Sequence, residues 1–265
     1  MRKLVKLQSI QNVSAGSKAT LSLPVGLTYQ SIKLLLTNVT LAQIKNIEVI
    51  INGKTIQTFI DGLEIDAMNK YESLAASANG FLTLYFARPS MHSLRDQRIT
   101  AIGTQDVATF SLSFDLDAAV VSPIVEAWAT QTDPEPLGLI RKIKRFPLNM
   151  GAGLNEIDNL PRGGARIQRI HLKKADIELV TVEIDSVKVF DQTNAVITDT
   201  QAEYGLTKQS GYTHLDWTQD GDLSQALATV YPNRKSIQDF RVMATVTAAG
   251  NMVAIVEYLD GLGGI

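Results

Sequence analysis

The sequence contains no cysteine. That excludes disulfide bonds, thiolate zinc sites and thiol catalysis together. Histidine is nearly as scarce: His92, His171 and His214 are scattered, with no H-x-H or H-E-x-x-H spacing. A two-domain cupin enzyme holds its metal with clustered histidines and a carboxylate, and these three are expected instead on the surface or at strand ends. Aromatic residues make up only 6%, against the exposed stacking platforms of the alternative reading, a tandem β-sandwich carbohydrate-binding module. Trp128 and Trp217 are expected to pack into cores. No apolar run reaches the ~18 residues a membrane-spanning helix needs. Neither sign of charge dominates: 25 basic against 27 acidic residues leave a net charge of −2. Such a balance argues against a broad phosphate-neutralising face and sequence-specific nucleic acid binding. Met1-Arg2-Lys3 starts like a signal peptide, but Gln8, Ser9, Gln11 and Asn12 interrupt any apolar region; synthesis in a cytoplasm without export is expected.

What the chain does have is short alternating segments divided by Gly, Pro, Asn and Asp. Phe110, Leu112 and Phe114 alternate with Ser111 and Ser113, so the phenyl and isobutyl groups share one face of a strand. Val180, Val182 and Ile184 do the same, as do Ile47, Val49 and Ile51, which run into the hairpin signal Asn52-Gly53. Further strands are expected over 18–23, 32–36, 55–60, 81–86, 167–172, 213–217, 240–246 and 253–258. Helical spacing is confined to Leu63–Ala75 and a short piece at Asp222–Val230. Many strands, few helices and short connections indicate an all-β fold.

An internal repeat carries the domain organisation. Ala15-Gly16 and Leu23-Pro24-x-Gly26 return as Ala152-Gly153 and Leu160-Pro161-x-Gly163, an offset of 137 (152 − 15). Val49-x-Ile51-Asn52 returns as Val182-x-Ile184-Asp185, offset 133 (182 − 49). At the same offset Tyr71 matches Tyr204, Leu82-x-Leu84 matches Leu215-x-Trp217, and Gln105-Asp106 matches Gln238-Asp239. Near the ends Ile124-Val125-Glu126 matches Ile255-Val256-Glu257, offset 131 (255 − 124). The pairs stay collinear. A unit of this length is too long for a solenoid repeat or propeller blade and suits a complete eight-stranded jelly roll. Pro134 and Pro136 mark a linker. The expectation is two tandem jelly-roll β-sandwiches, residues 1–133 and 134–265, with a few short helices.

No catalytic constellation emerges. Gly151-Ala152-Gly153 lacks the third glycine of a dinucleotide loop and reads as a turn. Asp220-Gly221-Asp222 fails the EF-hand pattern and reads as a solvated turn rather than a calcium loop. Arg141, Lys142, Lys144 and Arg145 form the densest positive run. The favoured reading is a solvated strand edge guarded by charge; the sharper one is a contact with an acidic neighbour or anionic headgroups.

Several stretches resemble the corticovirus major capsid protein family, the coat proteins of tailless marine bacteriophages with a membrane inside the shell. They are the opening Leu7–Gly16, Leu23–Tyr29, Gln43–Asn46, Arg88-Pro89, Ala101–Thr104 and Phe114–Ala119, then Ile157–Arg162, Ile167–Lys173 and Ile255–Tyr258. The tail Gly261-Leu262-Gly263-Gly264 and the Pro134–Pro136 linker depart from the family's pattern. The resemblance implies a double jelly roll, a structural rather than enzymatic role, and homotrimers with six similar sandwiches that tile an icosahedral virion shell. Neighbouring capsomers, penton proteins and membrane-associated virion proteins are the partners it implies. Calcium is the associated ion, with no ligand residue assigned.

Overall fold

The computed structural model describes every residue except Pro232 and Arg234. The chain divides into two compact units, Met1–Ile143 and Lys144–Ile265.

The first unit is a sandwich of two sheets. One sheet orders β2 (Lys18–Ser22), β8 (Phe110–Leu116), β4 (Ile44–Ile51) and β5 (Lys54–Asp61), all antiparallel. The other orders β1 (Lys3–Lys6), β9 (Ile124–Thr132), β3 (Thr28–Thr37) and β6 (Phe81–Tyr85), with β7 (Ile102–Gly103) beside the start of β3. Alternation decides which face each strand buries. Phe110, Leu112 and Phe114 turn inward, as do Ile32 and Leu34, and Ala127 and Ala129, all buried. Tyr29 closes edge-on to Phe110, ring centroids 5.1 Å apart. α1 (Gly62–Tyr71) follows β5. Asp61 caps it by accepting from Glu64 N (2.9 Å), while Glu64 Oε2 accepts from Ile60 N (2.9 Å). The helix stops earlier than its periodicity suggests, because Ser73 takes a positive φ of 54°. A short α2 (Leu94–Arg98) precedes β7.

Residues 134–139 lie along this unit. Gln105 N donates to Glu135 O (3.1 Å), and Leu137 N to Asp106 Oδ1 (2.7 Å). A Cβ at Gly103 would meet Pro136 O at 2.3 Å, so the strap needs a glycine beneath it. β10 (Ile140–Met150) then begins, and Ile143 runs parallel to Gln57 of β5.

The second unit orders β11 (Gly153–Ile157), β17 (Phe240–Val246), β13 (Ile177–Ile184) and β14 (Val187–Thr193) in one sheet. The other sets β12 (Arg166–Lys173) between β15 (Tyr212–Asp216) and β18 (Gly250–Asp260), with β16 (Leu227–Ala228) beside the start of β12. Ile170, Leu172, Val180, Val182, Leu215, Val242 and Val256 form its core. The helix expected at Asp222–Val230 is one 3-10 turn, Leu223–Gln225. Leu227 pairs with Ile167 instead, closing the sheet. α3 (Asn194–Glu203) has only Ile197 and Gln201 buried, so no apolar stripe announces it in the sequence.

The two units share one plan. Strands β2 to β9 correspond in order and pairing to β11 to β18, eight in each, with a helix between the fourth and fifth. Both are jelly rolls. Even an irregularity recurs: β3 bulges between Tyr29 and Ser31, β12 between Ile167 and Arg169. Each bulge exposes a glutamine carbonyl, Gln30 O accepting from Phe86 N (2.9 Å) and Gln168 O from Trp217 N (3.1 Å). The turn after β4 recurs as well. Asn52 (φ 48°) accepts at Oδ1 from Ala108 N and Thr109 N, and Asp185 (φ 46°) from Gln238 N and Asp239 N.

The sheet registers revise several matched pairs. Ile51 faces Phe110 and Ile184 faces Phe240, so offset 133 holds there. Thr109, not Asp106, is then equivalent to Asp239, both closing on the β4 or β13 turn. Capping by Asp61 and Thr193 gives 132 (193 − 61), which separates buried Tyr71 from half-exposed Tyr204. Leu84 is equivalent to Leu215, offset 131 (215 − 84), and Ala129 to Val256, offset 127 (256 − 129). The offset falls because the second unit has shorter connections, which apolar matching alone does not register.

Candidate interaction surfaces and buried polar clusters

Of the three histidines, only His92 is exposed. His171 and His214 are buried at 1% and 2% exposure, a correction to the expected surface placement. They stand opposite each other on β12 and β15, on the sheet face turned away from Ile170 and Leu215. His171 Nδ1 lies 2.6 Å from His214 Nδ1, and His171 Nε2 lies 3.0 Å from Glu257 Oε1. The hydrogen-bond order sets the tautomers. Gln209 N donates to His214 Nε2 (3.4 Å), so the His214 proton sits on Nδ1 and is donated to His171 Nδ1; His171 Nε2 then donates to Glu257. Burial holds the His214 imidazole well below its ordinary range, helped by the positive charge on His171 when protonated and by Arg169, and opposed by Glu257. Beside the pair, Arg169 Nε donates to Asp216 Oδ2 (2.5 Å).

The first two residues of the basic run, Arg141 and Lys142, are likewise not on a solvated edge, while Lys144 and Arg145 are half-exposed. Arg141 and Lys142 are 6% and 2% exposed. Arg141 Nη1 reaches Glu72 Oε1 (3.1 Å), and Nη2 donates to Tyr85 O (2.9 Å). Glu72 also receives Arg88 Nη2 (3.4 Å), itself fully buried, and the Ser90 hydroxyl (2.5 Å). One carboxylate at the end of α1 therefore ties down two guanidinium groups. Gln57 Nε2 donates to Arg141 O (2.9 Å), completing the anchorage of the strap.

Among the described residues no group of three or more His, Asp or Glu is arranged to hold a metal ion. Asp220 Oδ1 accepts from Asp222 N (3.1 Å), and the Asp222 carboxylate from Ser224 N and Oγ (2.8 Å each). These carboxylates cap a turn.

The outward face of the β1-β9-β3-β6 sheet differs in kind. Val125, Ala127 and Ala129 fill the core, which leaves Glu126, Trp128 and Thr130 outside. Trp128 is therefore half-exposed rather than a core residue, whereas Trp217 packs on its core beside Phe190 (centroids 6.3 Å). Trp128 meets Phe81 edge-on at 6.2 Å. Lys6 Nζ stands 5.4 Å from the Trp128 ring and Lys33 Nζ 5.5 Å from the Phe81 ring, each a cation over an aromatic face. Lys6 also pairs with Glu126.

Comparison with known proteins gives a consistent pattern. The family model for the viral coat protein P2 N-terminal domain matches residues 4–132, and that for the P2 C-terminal domain matches residues 140–262. Major capsid protein P2 of Pseudoalteromonas phage PM2 is 30% identical over 268 residues, covering 98% of this chain and 97% of the relative. The crystal structure of major capsid protein P2 from bacteriophage PM2 superposes with a TM-score of 0.95 over 100% of both chains. The STIV MCP, 14% identical, shares the fold at a TM-score of 0.67, covering 97% of this chain and 96% of its own. The PBCV-1 virus capsid protein, 10% identical, does so at 0.64, covering 100% and 96%.

Proposed function

This chain belongs to the viral coat protein P2 family, and from that premise we propose that it builds the shell of a bacterial virus as homotrimeric capsomers around an internal membrane. It is a major capsid protein and not an enzyme. The observation that carries the assembly reading is the duplication: strand for strand, each chain brings two sandwiches of one plan. Three chains bring six, the number that fills a near-hexagonal tile. Penton proteins and membrane-associated virion proteins complete the set of partners, after synthesis in the host bacterial cytoplasm.

In a shell the interfaces are the function. Contacts within a trimer belong to the obligate class, above about 2,000 Å² in total. Contacts between trimers are weaker, on the order of 4 kcal/mol, so that misplaced capsomers dissociate and try again. A closed shell then persists because each capsomer touches several neighbours. The carbohydrate-binding alternative loses ground at Trp128 and Phe81, whose ring faces are occupied by lysine ammonium groups rather than open to a sugar. Size-exclusion chromatography with light scattering tests the reading. A trimer of roughly 87 kDa (3 × 28.9) supports it, and a species that stays at 28.9 kDa up to high micromolar concentration refutes it.

A further inference from the structure

The two units part company where their last strands end. The registers of β3 with β7 and β9, and of β12 with β16 and β18, make Thr28 equivalent to Arg166, Gly103 to Ala228 and Thr132 to Leu259. Side-chain bonds carry the match one residue further: Thr104 Oγ1 donates to Leu27 O (2.6 Å), and Thr229 Oγ1 to Ala165 O (2.6 Å). Past this point the first unit lays its strap over the site. Thr28 Oγ1 donates to Asp133 O (2.8 Å), Gln105 N donates to Glu135 O (3.1 Å), and Gly103 is buried against Pro136 O. In the second unit the same seat is bare. Gly261–Ile265 turns back on Asp260, whose carboxylate accepts from Gly261 N and Ile265 N (2.8 Å each). Ala228 is exposed. Val230 N, the equivalent of Gln105 N, meets no acceptor among the described residues. Beside it opens a cavity of about 550 Å³, with Asn159, Arg162, Thr229, Val230 and Ser236 in its lining.

We infer that this seat on the second unit binds an extended, acidic, proline-containing segment of a different protein, in the place the strap takes on the first. The seat stands apart from the coat-protein reading; naming the partner as another virion protein rests on it. The strap is the template for the occupant. It is held by main-chain bonds, Pro134 and Pro136 keep it extended, and Asp133 and Glu135 make it acidic. A second copy has no strap to offer, because each strap is bound on its own first unit. Charge supplies what covalent attachment does not. Where the first unit has Val25 and Thr28, the second has Arg162 and Arg166. Among the described residues each guanidinium donates only to a carbonyl, Arg162 Nη1 to Ile237 O (3.4 Å) and Arg166 Nη2 to Ser224 O (2.8 Å). Asp185 and Asp222, which sense these charges, hold other partners: Tyr231, Gln238 and Asp239 for the one, Ser224 for the other. Two carboxylates on an incoming segment complete the arginines. Only Asp158 in the cavity lining opposes them.

The probe is a labelled peptide copying residues 131–138, acetylated and amidated, added to the full-length protein. At saturation it is expected to slow amide hydrogen exchange across 228–231 at least about tenfold, the protection an occupancy beyond ~90% confers, and to leave 103–106 unchanged. Neutralising the peptide (Asp133→Asn, Glu135→Gln) is expected to weaken binding at least about tenfold in fluorescence anisotropy. Arg162→Glu/Arg166→Glu in the protein, with unchanged far-ultraviolet circular dichroism, is expected to do the same. The peptide substitutions leave the protein untouched, so they decide the matter even where the arginine variant misfolds. Exchange at 228–231 that stays unaltered at millimolar peptide overturns this inference, and an intact light-scattering trimer then leaves the coat reading standing. Binding indifferent to both pairs of substitutions overturns the acidic class of the partner. Exchange at 228–231 that is already slow in the assembled protein before peptide is added overturns the assignment to a different protein, because a second copy then fills the seat.

Discussion

Replacing Glu72 by alanine tests the buried ion cluster, and its cost follows from the geometry. The carboxylate is 4% exposed and lies 3.4 Å from Arg88 Nη2 and 3.1 Å from Arg141 Nη1, on guanidinium groups 0% and 7% exposed. Removing it takes away the carboxylate that both buried guanidinium groups contact, and breaking a buried pair in this way costs about 3–5 kcal/mol. The Ser90 hydroxyl loses its acceptor as well, adding about 1 kcal/mol. A loss of about 4–6 kcal/mol lowers the melting temperature of a unit this size by roughly 8–24 °C. Differential scanning calorimetry at fixed subunit concentration reads it directly. Glu72→Leu with Arg88→Met and Arg141→Met removes all three charges and is expected to recover most of the loss, because the penalty comes from buried charge and not from the missing bridge. A drop below about 1 kcal/mol for Glu72→Ala, the scale of an exposed pair, would refute the argument.

Three further outcomes follow. Asn52→Ala removes the acceptor of Ala108 N and Thr109 N and puts a Cβ at φ 48° without a compensating side-chain bond, so chemical denaturation is expected to show a loss of about 1–2 kcal/mol. Asn52→Gly, which relieves the dihedral but not the lost bonds, is expected to recover only part of it. Asp185→Asn copies the equivalent turn of the first unit and is expected to leave the midpoint nearly unchanged, while Asp185→Ala lowers it. For the histidine pair the sign is set by burial: His214 stays neutral in the fold and takes a proton once unfolded. Its contribution is fully present above the ordinary imidazole value of about 6.5 and is lost as pH falls below it. Urea midpoints measured from pH 8 to 5 are expected to fall, and His214→Gln to flatten the slope; an unchanged slope would remove His214 as the cause.

How far the sequence announces this molecule depends on what each signal measures. Alternation is local, so β8, β13 and β17 are legible almost to the residue: Phe110, Leu112 and Phe114 have no other way to share a core. Collinear matches reveal the duplication, yet they misplace Tyr204, Asp106 and Glu257. Their true counterparts are fixed by cap and ladder positions, not by residue type. The two buried clusters escape entirely. His171 and His214 are 43 residues apart and meet only because β12 and β15 pair in one register. Arg141 looks solvated beside Lys142 and Lys144 until the strap folds it onto Glu72, 69 positions earlier. Charge runs report composition, and composition does not say which carboxylate a tertiary fold brings within reach.

The inward and outward faces of the two sandwiches agree to different degrees at equivalent positions. Inward positions stay apolar: Ile32 is matched by Ile170, Leu84 by Leu215 and Leu112 by Val242. Packing demands volume and apolarity there, whichever surroundings the sandwich meets. Outward positions on the same strands change chemical class: lysine for histidine at 33 and 171, threonine for glutamate at 130 and 257, tyrosine for aspartate at 85 and 216. A duplicated module whose copies did the same job side by side would have no reason to keep its shape and rewrite one face wholesale. In the capsomer proposed above a module repeated around a ring would, since equal shape is what makes six places fit, and unequal faces are what let each place accept only its own neighbour.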